Sequence, residues 1–69
     1  MIEVFKTNVN DKKQAHELVS ILSKKFIEAK INFDLEDCDK VLRVESTLIC
    51  NESIVKVLAD AGYICEKLN

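Results

Sequence analysis

The chain has 69 residues, of which 48% are hydrophobic and 32% are charged, and its formal net charge is -2. This composition is typical of one small folded domain, and the interspersed lysines and acids leave no basic surface for a nucleic-acid partner. The chain lacks both an apolar run long enough to span a bilayer and the features of a signal peptide, so we expect a cytoplasmic protein without membrane insertion.

The first two predicted elements are a strand and a helix. Residues 2–7 alternate and are rich in β-forming side chains, which predicts a strand. From residue 11 to about residue 29 the apolar positions recur at helical spacing. Asp11 is followed three residues later by Gln14. This spacing predicts a capping box, in which the carboxylate accepts first-turn N–H groups and the Gln14 amide reaches back.

The second half of the chain predicts a hairpin, a helix and a last strand. Residues 31–36 and 41–46 alternate on either side of a polar turn, which predicts the hairpin. Residues 51–61 return to helical spacing, with Cys50 as a possible N-cap and with Ile49 and Ile54 at the positions of a hydrophobic staple. Gly62, the only glycine, stands where a left-handed C-cap belongs, and residues 63–68 predict a strand.

The order β-α-β-β-α-β predicts one α+β domain with the ferredoxin-like sandwich architecture. Two right-handed crossovers give a four-stranded antiparallel sheet in the order 4-1-3-2, with both helices on one face.

Three stretches resemble the heavy-metal-associated domains of copper chaperones: FKTNVN at residues 5–10, KVLRVES at 40–46 and AGY at 61–63. In that family, copper(I) or another soft ion is held by a Gly-Met-x-Cys-x-x-Cys loop. The resemblance places Asn8 at the glycine, Val9 at the methionine, and Asp11 and Gln14 at the two cysteines. Carboxylate and amide oxygens suit copper(I) poorly, because this ion selects thiolate and thioether ligands. The resemblance therefore implies the frame of a metal carrier without its ligands, and we expect no metal or other cofactor.

In the ferredoxin-like topology the metal loop, the hairpin turn and the turn before the last strand lie at the same end. Six side chains then become neighbours: Asp11, Gln14, Asp37, Cys38, Asp39 and Tyr63. One interpretation is a rebuilt site, with Cys38 as a soft ligand or with the aspartates holding a hard cation. The favoured interpretation is structural, since helix caps and turns select aspartate without any ligand.

The three cysteines, Cys38, Cys50 and Cys65, are odd in number and widely spaced, which predicts free thiols. Cys65 is expected in the core, whereas a thiol at a helix start, as at Cys50, can be reactive. His16 is expected to face solvent. The chain has no recognisable nucleophile–base pair and no glycine-rich phosphate loop, so we expect no enzyme.

Strand alternation predicts an apolar patch on the sheet face away from the helices. Its members are Ile2, Val4, Val41, Ile64 and Leu68. A contiguous patch with a charged rim is typical of an interaction surface, for a homodimer or for a partner protein. The alternative is a monomer in which neighbouring side chains half-cover these residues.

Three functions remain open at this point. The favoured one is a domain of the heavy-metal-associated type that has lost its soft-metal site and acts as a protein-interaction module. The others are a copper or zinc protein with non-standard ligands, and a thiol-based redox protein.

Overall fold

A computed structural model describes residues 1–48 and 50–68 of the chain. The elements are β1 (Ile2–Thr7), α1 (Lys12–Lys25), β2 (Lys30–Asp34), β3 (Val41–Glu45), α2 (Asn51–Asp60) and β4 (Cys65–Leu68). The four strands form one antiparallel sheet in the order β2-β3-β1-β4. This is the predicted order read from the opposite edge, so the α+β class and the strand order are confirmed.

The core lies between one face of the sheet and the two helices. Phe5, Leu42, Val44 and Cys65 point from three strands into a single buried cluster. The helices contribute to the same cluster through Ala15, Leu18, Leu22, Ile54 and Leu58. Each fully buried aliphatic or aromatic side chain stabilises the fold by roughly 1.5–3 kcal/mol. Because both helices share this cluster, they cover the same face of the sheet and leave the other face open.

Helix α1 ends earlier than the predicted residue 29. Its last residue is Lys25, and Phe26 leaves the helical conformation with φ -122° and ψ 74°. The Phe26 N–H still donates to the Leu22 carbonyl at 2.8 Å, and the Ala29 N–H closes the next turn on the Phe26 carbonyl at 2.9 Å. The chain reverses through this turn to begin β2, so the helix cannot continue. Within residues 1–48 and 50–68, neither helix is long and apolar enough to cross a bilayer.

Helix α2 ends in the glycine cap that the sequence predicts. Gly62 has φ 95°, its N–H donates to the Ala59 carbonyl at 3.0 Å, and the Tyr63 N–H donates to the Leu58 carbonyl at 2.9 Å. These two bonds are those of a Schellman motif. Because Tyr63 belongs to the cap, β4 begins at Cys65 rather than at the predicted residue 63. Cys50 is the N-cap of α2, while the predicted staple partner Ile49 lies outside the described residues.

Candidate functional site

Three loops meet at the end of the sheet where β1 leads into α1. The Thr7 N–H donates to the Asp39 carbonyl at 3.0 Å, and the Thr7 hydroxyl donates to the Lys40 carbonyl, which joins the first loop to the β2–β3 turn. The Ile64 N–H donates to the Asn8 side-chain oxygen at 2.9 Å, which joins the same loop to the turn before β4. The predicted meeting of these loops is therefore confirmed.

Asp11 is the N-cap of α1. Its backbone is extended, with φ -122° and ψ 130°, and its side-chain oxygen accepts the Lys13 N–H at 2.7 Å. The cap predicted at Asp11 is confirmed. The reciprocal bond from Gln14 does not occur among the hydrogen bonds of the described residues, so half of the predicted capping box is wrong. Gln14 instead lies half-buried on the first turn of the helix.

Removing the Asp11 carboxylate should therefore weaken the helix start. We expect Asp11→Ala to lower the free energy of unfolding by ~1 kcal/mol, the usual loss for an N-cap side chain. Asp11→Asn should be nearly neutral, because asparagine caps about as well. Urea denaturation followed by circular dichroism measures both, and equal midpoints for wild type and Asp11→Ala would contradict the assigned role.

Among the described residues, one group of three potential metal ligands lies close together, and it belongs to the β2–β3 turn. The ligand atoms of Asp37, Cys38 and Asp39 lie within 4.8 Å of one another. The Asp37 carboxylate accepts the Asp39 N–H at 2.9 Å, and the Asp37 carbonyl accepts the Lys40 N–H at 3.0 Å. Both bonds shape the turn, in which Lys40 has a positive φ of 48°. The Asp37 carboxylate thus has the structural role that turn chemistry predicts, whereas Asp39 takes part in the turn through its backbone N–H.

These residues do not fit a copper(I) ion. The site would offer one thiolate, from the exposed Cys38, beside two hard carboxylates, whereas copper(I) selects several soft ligands. The Lys6 ammonium already lies 3.9 Å from the Asp39 carboxylate. Asp11 does not belong to the group, so the loop and the turn do not combine into one ligand set.

The other positions that the resemblance singled out lie in or against the core, or face solvent. Val9, which matches the family methionine, is fully buried in the core. Its N–H donates to the Thr7 hydroxyl oxygen at 3.2 Å. Tyr63 is half-buried and packs against the same core. His16 is exposed, as predicted.

All three cysteines are free, and they differ in environment. Cys65 is buried, and burial raises its thiol pKa to about 11, with a smaller contribution from the Glu66 charge. Cys50 is exposed, and the Ser53 hydroxyl donates to its sulfur at 3.2 Å. This bond is the main cause of a lowered pKa for the Cys50 thiol. Ser53 stands three residues after the N-cap, a spacing that the sequence interpretation overlooked.

The predicted apolar patch on the open face is divided. Val4 lies directly opposite Leu68, and Ile2 stands two residues before Val4 on the same face of β1. We call these three residues the open-face cluster. Lys6 lies opposite Glu66, and this charged pair separates the cluster from Ile64 at the other end of the strands. The prediction of one continuous patch is wrong because alternation gives the face of a residue and not its position along the sheet.

The five residues of the predicted patch also differ in solvent exposure. Ile2 is 57% exposed and Ile64 60% exposed, whereas Val4 and Leu68 are half-buried. Val41 is only 9% exposed, although alternation assigns it to the open face. It therefore contributes little to the exposed surface.

No protein-family model matches this chain, and no curated protein sequence or solved structure matches it.

Proposed function

We propose that this chain is a ferredoxin-like domain of the heavy-metal-associated type that lacks the soft-metal site and acts as a protein-interaction module. The strand order, the helix start after the first loop and the buried Val9 support the family frame. The oxygen donors of Asp11 and Gln14 support the loss of the metal site, because Asp11 serves the helix as its cap. The exposed thiols of Cys38 and Cys50 support a reducing compartment such as the cytoplasm.

The observation that carries the interaction role is the open-face cluster. Ile2 exposes more than half of its surface beside the half-buried Val4 and Leu68. The exposed charges of Glu45 and Arg43 lie directly opposite Ile2 and Val4 on β3. An apolar centre with a rim of mixed charge is the usual anatomy of a protein–protein contact. The partner is therefore a protein that presents an apolar side chain and charges of both signs.

Ile2 and Ile64 provide a matched pair of variants to test this role. Both isoleucines are more than half exposed, but only Ile2 belongs to the cluster. A protein captured from the native cell by the wild type should also be captured by Ile64→Lys and should be lost with Ile2→Lys. The purified partner should then shift the amide resonances of the cluster when it is titrated into the labelled domain.

The stability of both variants is the control. A lysine at position 2 faces Glu45 across the strands, so Ile2→Lys should unfold at nearly the wild-type urea midpoint. Equal binding by Ile2→Lys and wild type, or resonance shifts elsewhere, would contradict the proposed surface.

A further inference from the structure

Strand β2 forms one edge of the sheet. It pairs with β3 on one side, from Lys30 opposite Glu45 to Asp34 opposite Val41. In the part of the chain that the structure describes, no strand pairs with its other side. An unpaired edge presents free N–H and carbonyl groups and is a template for another strand.

The sequence of β2 is complementary to itself when two copies run antiparallel. Facing residues must point to the same side of a continuous sheet, so the pairing has to be centred on a residue. Centring it on Asn32 pairs all five residues of the strand. Lys30 then faces Asp34 of a second copy, and Asp34 faces Lys30, which gives two opposite-charge pairs. On the sheet face that carries the helices, Ile31 of each copy faces Phe33 of the other.

The side chains involved are available for such a contact. Lys30, Asn32 and Asp34 are exposed, while Ile31 and Phe33 pack against the core and remain only half-buried. A groove lies beside these two residues and is also lined by Ala15 and Val19 of α1. Residues from both faces of β2 line this groove, which places it at the free edge of the strand. A second copy would extend the apolar layer over this groove.

The opposite edge of the sheet does not share this property. Strand β4 has Glu66 and Lys67 at its centre. Antiparallel pairing centred on either residue would place it opposite the same residue of the second copy. Like charges directly opposite each other destabilise a strand pair. The charge pattern therefore selects the β2 edge.

We propose that two copies of this chain associate through their β2 edges, antiparallel and centred on Asn32, to form a continuous eight-stranded sheet. All four helices then lie on one face, and the two open faces join into one surface. This interface is separate from the open-face cluster, so it does not depend on the function proposed above.

Charge reversal tests both the interface and its register. Sedimentation velocity over a range of concentrations should show a monomer–dimer equilibrium for the wild type. Lys30→Asp or Asp34→Lys alone should weaken the dimer by roughly tenfold, because each variant creates two like-charge pairs. The double variant with both reversals should restore it. An equimolar mixture of the two single variants should form a heterodimer, since their charges complement each other.

Glu66→Lys is the matched control, because it changes the charge of an exposed strand residue on the other edge. It should leave dimerisation unchanged. Urea midpoints for all variants distinguish a weaker dimer from a less stable fold. Fold stability could fall, for example, when the Lys30–Glu45 cross-strand pair is removed. A wild type that stays monomeric at the highest concentration would overturn the proposal and leave this edge to a strand of another protein. Single reversals without effect, or a double variant without recovery, would also overturn it.

A disulfide trap reports the centre of the pairing independently. Residues directly opposite in an antiparallel pair have Cα atoms about 4.5–5.5 Å apart, within the range that a disulfide spans. In a Cys38→Ser and Cys50→Ser background, Asn32→Cys should oxidise rapidly to a covalent dimer. Glu66→Cys in the same background is the control and should oxidise slowly. Equal oxidation rates would contradict a centre at Asn32.

Discussion

Replacing Asp11 and Gln14 together by cysteine is expected to create a copper(I) site in the loop that we propose has lost one. The two positions are one helical turn apart, at the start of α1. Thiolates at this place are favoured by the positive end of the helix dipole, which lowers their pKa. The pair would supply soft ligands where the wild type has a carboxylate and an amide. Because the backbone already forms the loop and the helix start, the change in binding should be large.

Native mass spectrometry without oxygen measures this effect. The Cys38→Ser and Cys50→Ser background removes the exposed thiols, and the double variant in it should retain one copper ion per chain. The single variants Asp11→Cys and Gln14→Cys should retain much less. Loss of the Asp11 cap should destabilise the metal-free double variant by ~1 kcal/mol, and bound copper should reverse this loss, since a ligand of the folded state stabilises it.

The same measurement can contradict the proposed loss of the metal site. A wild-type chain that binds one copper ion tightly, and still does so after Cys38→Ser, Cys50→Ser and Cys65→Ser, would show that the loop holds a soft metal by other ligands. Weak binding that disappears with these substitutions would agree with ordinary free thiols.

Much of the fold follows from periodicity and end signals in the sequence. The bounds of β1 agree with the alternation of residues 2–7, and the cap of α1 at Asp11 and the glycine cap at Gly62 follow from local chemistry. The end of α1 was harder to predict because Phe26 continues the apolar period after the helix has ended. That ending is set by the turn into β2, which is a tertiary constraint.

The candidate sites depend on the register in which the strands pair, and a single sequence does not specify that register. Alternation correctly assigns Ile2, Val4 and Leu68 to the open face, but only the strand pairing shows that Lys6 and Glu66 separate them from Ile64. The self-complementary charges of β2 are visible in the sequence as KINFD. These charges can pair between two copies only because β2 is an edge strand, which the sheet order shows.

Thr7 lies where the three loops meet, and its role could not be predicted from the sequence. It reads as the last polar residue of a strand, yet it is only 7% exposed. Its hydroxyl donates to the Lys40 carbonyl and accepts the Val9 N–H. One buried hydroxyl therefore fixes both the first loop and the β2–β3 turn, and it does so across a long separation in sequence.

Replacing this hydroxyl by a methyl group should consequently be among the more damaging polar substitutions in the chain. Thr7→Val keeps the shape and the strand preference of the side chain but leaves the Lys40 carbonyl and the Val9 N–H without their partner. An unsatisfied buried polar group costs about 1–3 kcal/mol, a large fraction of the ~3–10 kcal/mol of unfolding free energy expected for a domain of this size.

Thr7→Ser is the matched control, because it retains the hydroxyl and should lose less stability. Urea denaturation measures both losses, and amide hydrogen exchange at Val9 should accelerate in Thr7→Val beyond the change explained by global unfolding. A Thr7→Val protein as stable as the wild type, with unchanged exchange at Val9, would show that these hydrogen bonds do not hold the loops together.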